Sequence, residues 1–399
     1  MTLPKLCVLG GSTPFTAGLI DAISQDDSFE PAMQLTIHGR HEARVKLIAD
    51  YAMHWLSPRG WRVNGQTSVE AVLDGADIVI HQIRYGDLEG RAAGERLCKA
   101  LGLPADETLG PAALLTAIQS QPAISQTCEA LLRYCPAARV VNLTNPLSAV
   151  TAAMLCAGVK GCIGLCELPL VTMRQAAERL QVNSRDVSWT YSGLNHRGFI
   201  DSFVCQGRDL IHDLAGQLGD ATLGGVTASE IKELQAIPLK YFRLMSATSS
   251  TTYGRAQSLA VLRDQVTKEL EASIEAIPPS LSERYMAWYP DSVVPMLRAL
   301  LSDTPTTQVV NIEHSSGLVV ETKAQVCCNR IEPNFHETGN RQVLPWNDRF
   351  FDHERKFIRA MFDPSDANLK TVLEADPIVP SANVSQAVQA LSRSLENSR

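Results

Sequence analysis

Lys5-Leu6-Cys7-Val8-Leu9-Gly10-Gly11-Ser12-Thr13-Pro14-Phe15-Thr16 opens the pattern from which the fold is read. An apolar run that ends at a Gly pair, followed by helical spacing over Thr16–Ser24, spells a buried strand, a tight turn and a helix. The rhythm then repeats. Gln34–Ile37 reads as a second strand, Glu42–Leu56 as a helix, and Ala76–Ile80 as a third strand behind the turn Asp74-Gly75. Helical stretches fill Ala113–Tyr134, Arg139–Leu143 is a strand leading to Asn145-Pro146, and Val159–Leu165 is another. Strands alternating with helices predict an α/β fold on a Rossmann-like, doubly wound, mostly parallel sheet that binds ligands at the carboxyl ends of its strands. Gly10-Gly11, Arg84, Asn145 and Cys166 all fall at such ends.

The second half is less regular. Val187–Leu194 reads as a strand ending at Gly193-Leu194-Asn195-His196, and Ser229–Met245 and Ala256–Ala276 have helical periodicity. Pro278-Pro279 marks a break before a helix at Asp291–Leu301; Thr307–Ile312 and Leu318–Thr322 pair as strands; Leu369–Leu395 is helical, broken near Pro377 and Pro380. At roughly 150 residues per domain, 399 residues suggest two or three domains. We expect a dinucleotide-binding domain over 1–165. A second, α+β domain over 166–399 would carry substrate, metal and subunit contacts.

Composition narrows the function. With 45% hydrophobic and 20% charged residues, the sequence belongs with globular proteins. A net charge of −7, with basic and acidic residues mixed along the chain, leaves no electrostatic footprint for nucleic acid or a membrane surface. The apolar run at Leu6–Leu9 is too short for a signal-peptide core, and no stretch reaches membrane-spanning length, so we expect a cytoplasmic location. The ten cysteines show no CxxC spacing and read mostly as free, buried thiols.

The first loop lacks the full GxGxxG pattern. Its small residues still let the backbone approach a pyrophosphate at a helix N-terminus, which makes Gly10, Gly11, Ser12, Thr13 and Phe15 the candidate cofactor-binding set. A plain strand-to-helix turn is the competing reading. The second strand ends in Ile37-His38-Gly39-Arg40 where a ribose-binding acid is expected. Arg40 either faces a 2′-phosphate, so that NADP stands beside NAD, or lies on the surface.

Taken in order, these motifs resemble glycoside hydrolase family 4. The series is Gly10-Gly11-Ser12-Thr13, then Gln82-Ile83-Arg84-Tyr85-Gly86 with Arg91 and Glu95, Glu107-Thr108-Leu109-Gly110-Pro111, Asn142-Leu143-Thr144-Asn145-Pro146, Gly164-Leu165-Cys166-Glu167 and Gly193-Leu194-Asn195-His196. The resemblance implies a lactate/malate dehydrogenase-like architecture, catalytic NAD, Mn2+ or another divalent metal, and a homodimer or homotetramer. Most glycosidases place two carboxylates across the scissile bond; this family instead oxidises the sugar transiently. By resemblance, hydride leaves C3 for NAD+, a base takes the acidified C2 proton, the aglycone is eliminated from C1, water adds, and the hydride returns.

The resemblance also assigns residues. Cys166 and His196 match the metal ligands, leaving positions open for sugar oxygens. Glu167 stands where the family has Asp or Asn and is the candidate acid for the leaving group. Tyr241, in Ile237-Pro238-Leu239-Lys240-Tyr241-Phe242, is the candidate base, with Tyr253 behind it; such a phenol needs a depressed pKa. Arg84 and Arg255 resemble the pair that reaches a sugar 6-phosphate, and Asn145 and Asn195 complete the substrate set.

Departures from the family pattern gather near the sugar pocket. Gly94 replaces Asp, Asp106 replaces Gln, Gln119 replaces Arg, Ser282–Tyr289 loses glycines, and Asp376 takes the place of His in Asp376-Pro377-Ile378-Val379. We therefore expect an NAD- and metal-dependent glycosidase on a small-molecule 6-phosphoglycoside. An unphosphorylated α-galactosidase or α-glucuronidase, a sugar or 2-hydroxyacid dehydrogenase, and a non-catalytic NAD-binding regulator are the alternatives.

Overall fold

The structure is a computed structural model and describes residues 3–245, 253–284 and 286–397. Tyr285, within the Ser282–Tyr289 stretch, lies outside them. Six parallel strands, β1 (Lys5–Leu9), β2 (Gln34–His38), β3 (Arg62–Gln66), β4 (Ile78–His81), β5 (Arg139–Asn142) and β6 (Cys162–Gly164), lie in the order β3-β2-β1-β4-β5-β6. This doubly wound order reverses direction between β1 and β4, and the crevice at that switch is where such sheets take ligands. Alternation along β1 shows why the sheet is buried on both sides. Cys7 and Leu9 pack with the helix Gly110–Tyr134 and the C-terminal helices, whereas Leu6 and Val8 pack with Ala17–Ser24 and Glu42–Leu56. Each such buried side chain contributes about 1.5–3 kcal/mol.

The sheet does not stop at β6. Thr306–Glu313 joins it antiparallel at Asn311 against Gly164, followed by Val319–Cys327 and Arg330–Asn334, to give nine strands. A boundary near residue 165 thus marks the end of the parallel order rather than the edge of the sheet. A smaller antiparallel sheet holds β7 (Val187–Leu194), β8 (Arg197–Cys205) and the short strand Ile237–Pro238. It packs Trp189, Tyr191, Ile200 and Phe203 against the helices Leu168–Arg179 and Ile211–Leu218.

Some expected elements differ. The span Ser229–Met245 is not one helix: Ala228–Leu234 is helical, Gln235 turns left-handed at φ +50°, Ile237–Pro238 pairs with β8, and Lys240–Met245 is a 3-10 turn. Pro238 lacks the N–H that an α-helix interior needs. All ten cysteines are free, eight of them buried. Among the described residues, no helix is long and apolar enough to cross a membrane.

Candidate active site

The loop after β1 turns directly beside β4. Gly10 has φ +78°, and a Cβ there would stand 2.8 Å from the Gln82 carbonyl oxygen, so only glycine fits. Thr13 opens a short turn, Pro14–Thr16, that runs into Ala17–Ser24, and Phe15 is buried there. Gly11, Ser12 and Thr13 lie in the same loop at the switch point, and Arg40 is exposed beyond the end of β2.

Cys166 and His196 come from different sheets. Cys166 follows β6 and is buried, with its thiol 3.7 Å from Glu167 Oε2. His196 lies in the two-residue turn joining β7 to β8, at φ +64°, in the left-handed region that residues other than glycine adopt uncommonly. Gly193 makes that turn possible: a Cβ there would meet the Arg197 carbonyl oxygen at 2.5 Å. Asn195, fully buried, donates to Glu321 Oε1 at 3.3 Å and also bonds the Cys166 thiol, while its Oδ1 has no partner. Glu321 also accepts from Asn311 at 2.9 Å and from Tyr191 at 2.6 Å. The antiparallel strands that extend the sheet therefore brace the His196 turn from behind.

Thr108 Oγ1 sits 2.7 Å from His196 Nδ1 and orients the ring, the usual arrangement for a metal-binding imidazole. Burial pushes the His196 pKa down to about 3, so the ring is neutral and has a lone pair to offer. Burial pushes the Cys166 thiol up, with Glu167 and Glu321 adding to it. Among the described residues, no third His, Cys, Asp or Glu completes a metal cluster. Two protein donors, one soft, would thus hold a divalent cation in an open site, as catalysis requires.

Tyr241 stacks on His196, ring centroids 4.1 Å apart. Burial and the charges of Glu107, Asp106, Cys166 and Glu167 push its phenol pKa up, although Lys240 Nζ lies 5.5 Å from the ring centre. The protein groups alone therefore set the phenol opposite to a base's need, and a cation at Cys166 and His196 would oppose that. Glu167 has its pKa raised, chiefly by burial, which suits a proton donor. Tyr253 instead donates to the Leu103 carbonyl at 2.8 Å.

Arg84 is exposed three residues beyond β4, and Arg255 opens the helix Arg255–Ala272. Glu95 accepts from Gly254 N and Ala256 N on either side of Arg255, at 2.9 and 3.0 Å. Arg91 joins Glu95 to Glu107, at 3.2 and 3.1 Å. Asn145 lies beyond β5, partly buried. Asp376 accepts from Gly110 N at 2.7 Å and lies 3.0 Å from His353, whose other nitrogen faces Arg197 at 3.2 Å. Arg197 in turn pairs with buried Glu354 at 2.5 Å. A surface depression of about 560 Å³ lined by Asp77, Arg139 and Lys160 opens at the strands' amino ends, away from all these groups.

Sequence reasoning gave no role to Thr108, although it stands in a quoted motif, nor to Arg284. The first is joined to His196 across 88 positions. Arg284 is the other arginine whose field reaches Arg84 and Arg255.

The fold and this convergence define a dinucleotide-fold protein with Cys166 and His196 as candidate metal donors, and comparison with known proteins narrows it. Residues 6–182 match the family 4 glycosyl hydrolases and residues 191–379 the family 4 glycosyl hydrolase C-terminal domain. The chain belongs to that family and is a glycoside hydrolase. It is 27% identical over 343 residues to a probable 6-phospho-beta-glucosidase of Bacillus subtilis, covering 79% of this chain and 77% of that one. It is 24% identical over 417 residues to 6-phospho-beta-glucosidase BglT of Thermotoga maritima, covering 99% and 98%.

Solved structures agree in fold. The T. maritima 6-phospho-beta glucosidase with manganese, NAD+ and glucose-6-phosphate superposes at TM-score 0.85, with 21% identity, covering 99% of this chain and 98% of that one. A 6-phospho-alpha-glucosidase from gut microorganisms, in complex with NAD and Mn2+, also gives 0.85 at 17% identity, covering 100% and 99%. The malate dehydrogenase of Cryptosporidium parvum gives 0.58 at 17% identity, covering 91% and 100%, which places the architecture beside the dehydrogenases.

Proposed function

We propose that this chain hydrolyses a 6-phosphoglycoside by transient oxidation at C3 followed by elimination and addition. The observation that carries the reading is the meeting of Cys166, His196, Tyr241 and Glu167 past the carboxyl end of β6, at the same edge of the parallel strands as the Gly10 loop. When bound, NAD+ supplies a reversible hydride acceptor, and a divalent cation supplies Lewis acidity at the C2 and C3 oxygens.

The chain's own groups then have distinct tasks. Tyr241 takes the proton from C2, held in place by its stack on His196. Glu167, with its raised pKa, gives a proton to the departing aglycone oxygen. Thr108 and Asn195 hold the His196 turn, and the partly exposed Asn145 remains available for sugar hydroxyls. Arg84 and Arg255 receive the 6-phosphate. Binding of glucose-6-phosphate is a property of relatives such as the T. maritima enzyme, and it supports the choice of substrate class.

The test is turnover of p-nitrophenyl glycosides, α and β, with and without a 6-phosphate, withholding NAD+ or Mn2+ in turn. Activity confined to phosphorylated substrates and requiring both additions is the expected result. Turnover of an unphosphorylated galactoside or glucuronide instead would move the substrate away from this reading.

A further inference from the structure

Arg284 has no role in the chemistry above, yet its placement is specific. Its guanidinium lies over two rings, 4.3 Å from the centre of Phe15 and 5.2 Å from that of Trp288. Such stacking fixes the plane of the side chain and leaves its N–H edge to bind something else. The segment is tied to the pocket by a hydrogen-bond chain: Tyr289 donates to Gln82 at 2.9 Å, and Gln82 donates to Thr16 at 3.0 Å. Thr16 adjoins Phe15, and Gln82 lies two residues from Arg84. The chain thus joins the segment of Arg284 to the loops of Phe15 and Arg84.

Positive charge at this place is only partly offset. Among the described residues, none of Arg84, Arg255 and Arg284 forms an ion pair. The acids whose fields reach Arg84 and Arg284 are already engaged, Glu107 with Arg91 and Asp87 with Arg263. Burial and the two other arginines push the Arg284 pKa down to about 10, the mark of a cation that lacks its counter-charge.

We propose that Arg284 is a third phosphate-binding residue, its fork held edge-on by Phe15 and Trp288 so that it grips the substrate's phosphate ester together with Arg84 and Arg255. This deepens the 6-phosphoglycoside reading and rests on it. Phe15 belongs to the candidate dinucleotide loop, so a phosphate could also come from NAD+, and the test separates the two sources.

Glucose-6-phosphate is titrated calorimetrically into protein saturated with NAD+ and Mn2+, and NAD+ alone in a separate series. Both are repeated with Arg284→Met, which keeps the apolar packing, Arg284→Lys, which keeps the charge but not the fork, and Arg84→Gln. We expect Arg284→Met to weaken glucose-6-phosphate about tenfold or more, Arg284→Lys to fall between it and the parent, and NAD+ affinity to stay within twofold. Should Arg284→Met fail to fold, a loss of at least threefold in Arg284→Lys is the supporting result, and a smaller one overturns the proposal. Unchanged glucose-6-phosphate binding in the Arg284 variants, with loss in Arg84→Gln, removes Arg284 and leaves the substrate reading intact. An equal or larger loss of NAD+ affinity assigns Arg284 to the dinucleotide and overturns the proposal. Parent protein that binds NAD+ but not glucose-6-phosphate overturns both.

Discussion

His196 and Tyr241 lie face to face, ring centroids 4.1 Å apart and planes 4° from parallel. One ring belongs to a hairpin turn and the other to a 3-10 turn on the neighbouring strand of the same small sheet. The ring that would offer a nitrogen to a cation and the ring that would take a proton are thereby stacked on one another. The candidate metal ligand and the candidate base are positioned as one unit.

Replacing Tyr241 by Phe keeps the stack and removes only the hydroxyl. We expect kcat to fall about 10²- to 10⁴-fold, with Mn2+ affinity unchanged. Exchange of the C2 proton with deuterated solvent should fall in parallel. Exchange that survives in the variant would take the base role away from Tyr241.

Thr108→Val removes the partner of His196 Nδ1 at nearly constant volume. Loss of such a supporting group weakens metal binding about 10- to 100-fold. The check is Mn2+ titration followed by electron paramagnetic resonance, with NAD+ binding as the control that stays unchanged.

Asp106 gives a pH signature. Burial, then the charge of Glu107, raises its pKa from 3.8 to about 6. The folded state holds this proton more tightly than the unfolded chain, so the group lowers stability progressively as pH rises from about 4 to about 6. Asp106→Asn keeps an oxygen to accept the Thr108 and Leu109 N–H groups. In metal-free protein we expect the variant to be more stable than the parent at pH 7, by about 1–3 kcal/mol, and to melt with the parent at pH 4. Thermal melts at the two pH values decide it.

Arg197 and Glu354 are almost wholly buried and paired at 2.5 Å. Glu354→Ala leaves the guanidinium without its partner and should destabilise by about 3–5 kcal/mol. Replacing both by Met and Leu should recover most of that, as measured by chemical denaturation.

Local signals in the sequence were enough for the core of the fold. The apolar run Lys5–Leu9 with its Gly pair, and the alternating Val187–Leu194, lie where their patterns put them, because each buries its own side chains. Arg62–Gln66 escaped notice because it is a mostly polar edge strand, and Arg197–Cys205 because only two residues separate it from β7. Leu344–Phe362 went unread as a helix, although it buries Phe350, His353 and Phe357. The family motifs pointed to Cys166 and His196 as the candidate metal pair and to Tyr241 as the candidate base. They did not reveal the partners that hold those groups: Thr108 meets His196, and Glu321 meets Asn195, only through tertiary packing. Asp376 shows the same limit, since its purpose is visible only once Gly110 and His353 are seen on either side of it.

The most direct test of the redox-elimination account is hydrolysis of a 6-phosphoglycoside in deuterated water, with NAD+ and Mn2+, following product, NADH and isotope together. The account predicts that turnover needs both additions, leaves no net NADH, and puts solvent deuterium at C2 of the released sugar phosphate. Turnover without NAD+, or product with no deuterium at C2, would contradict it.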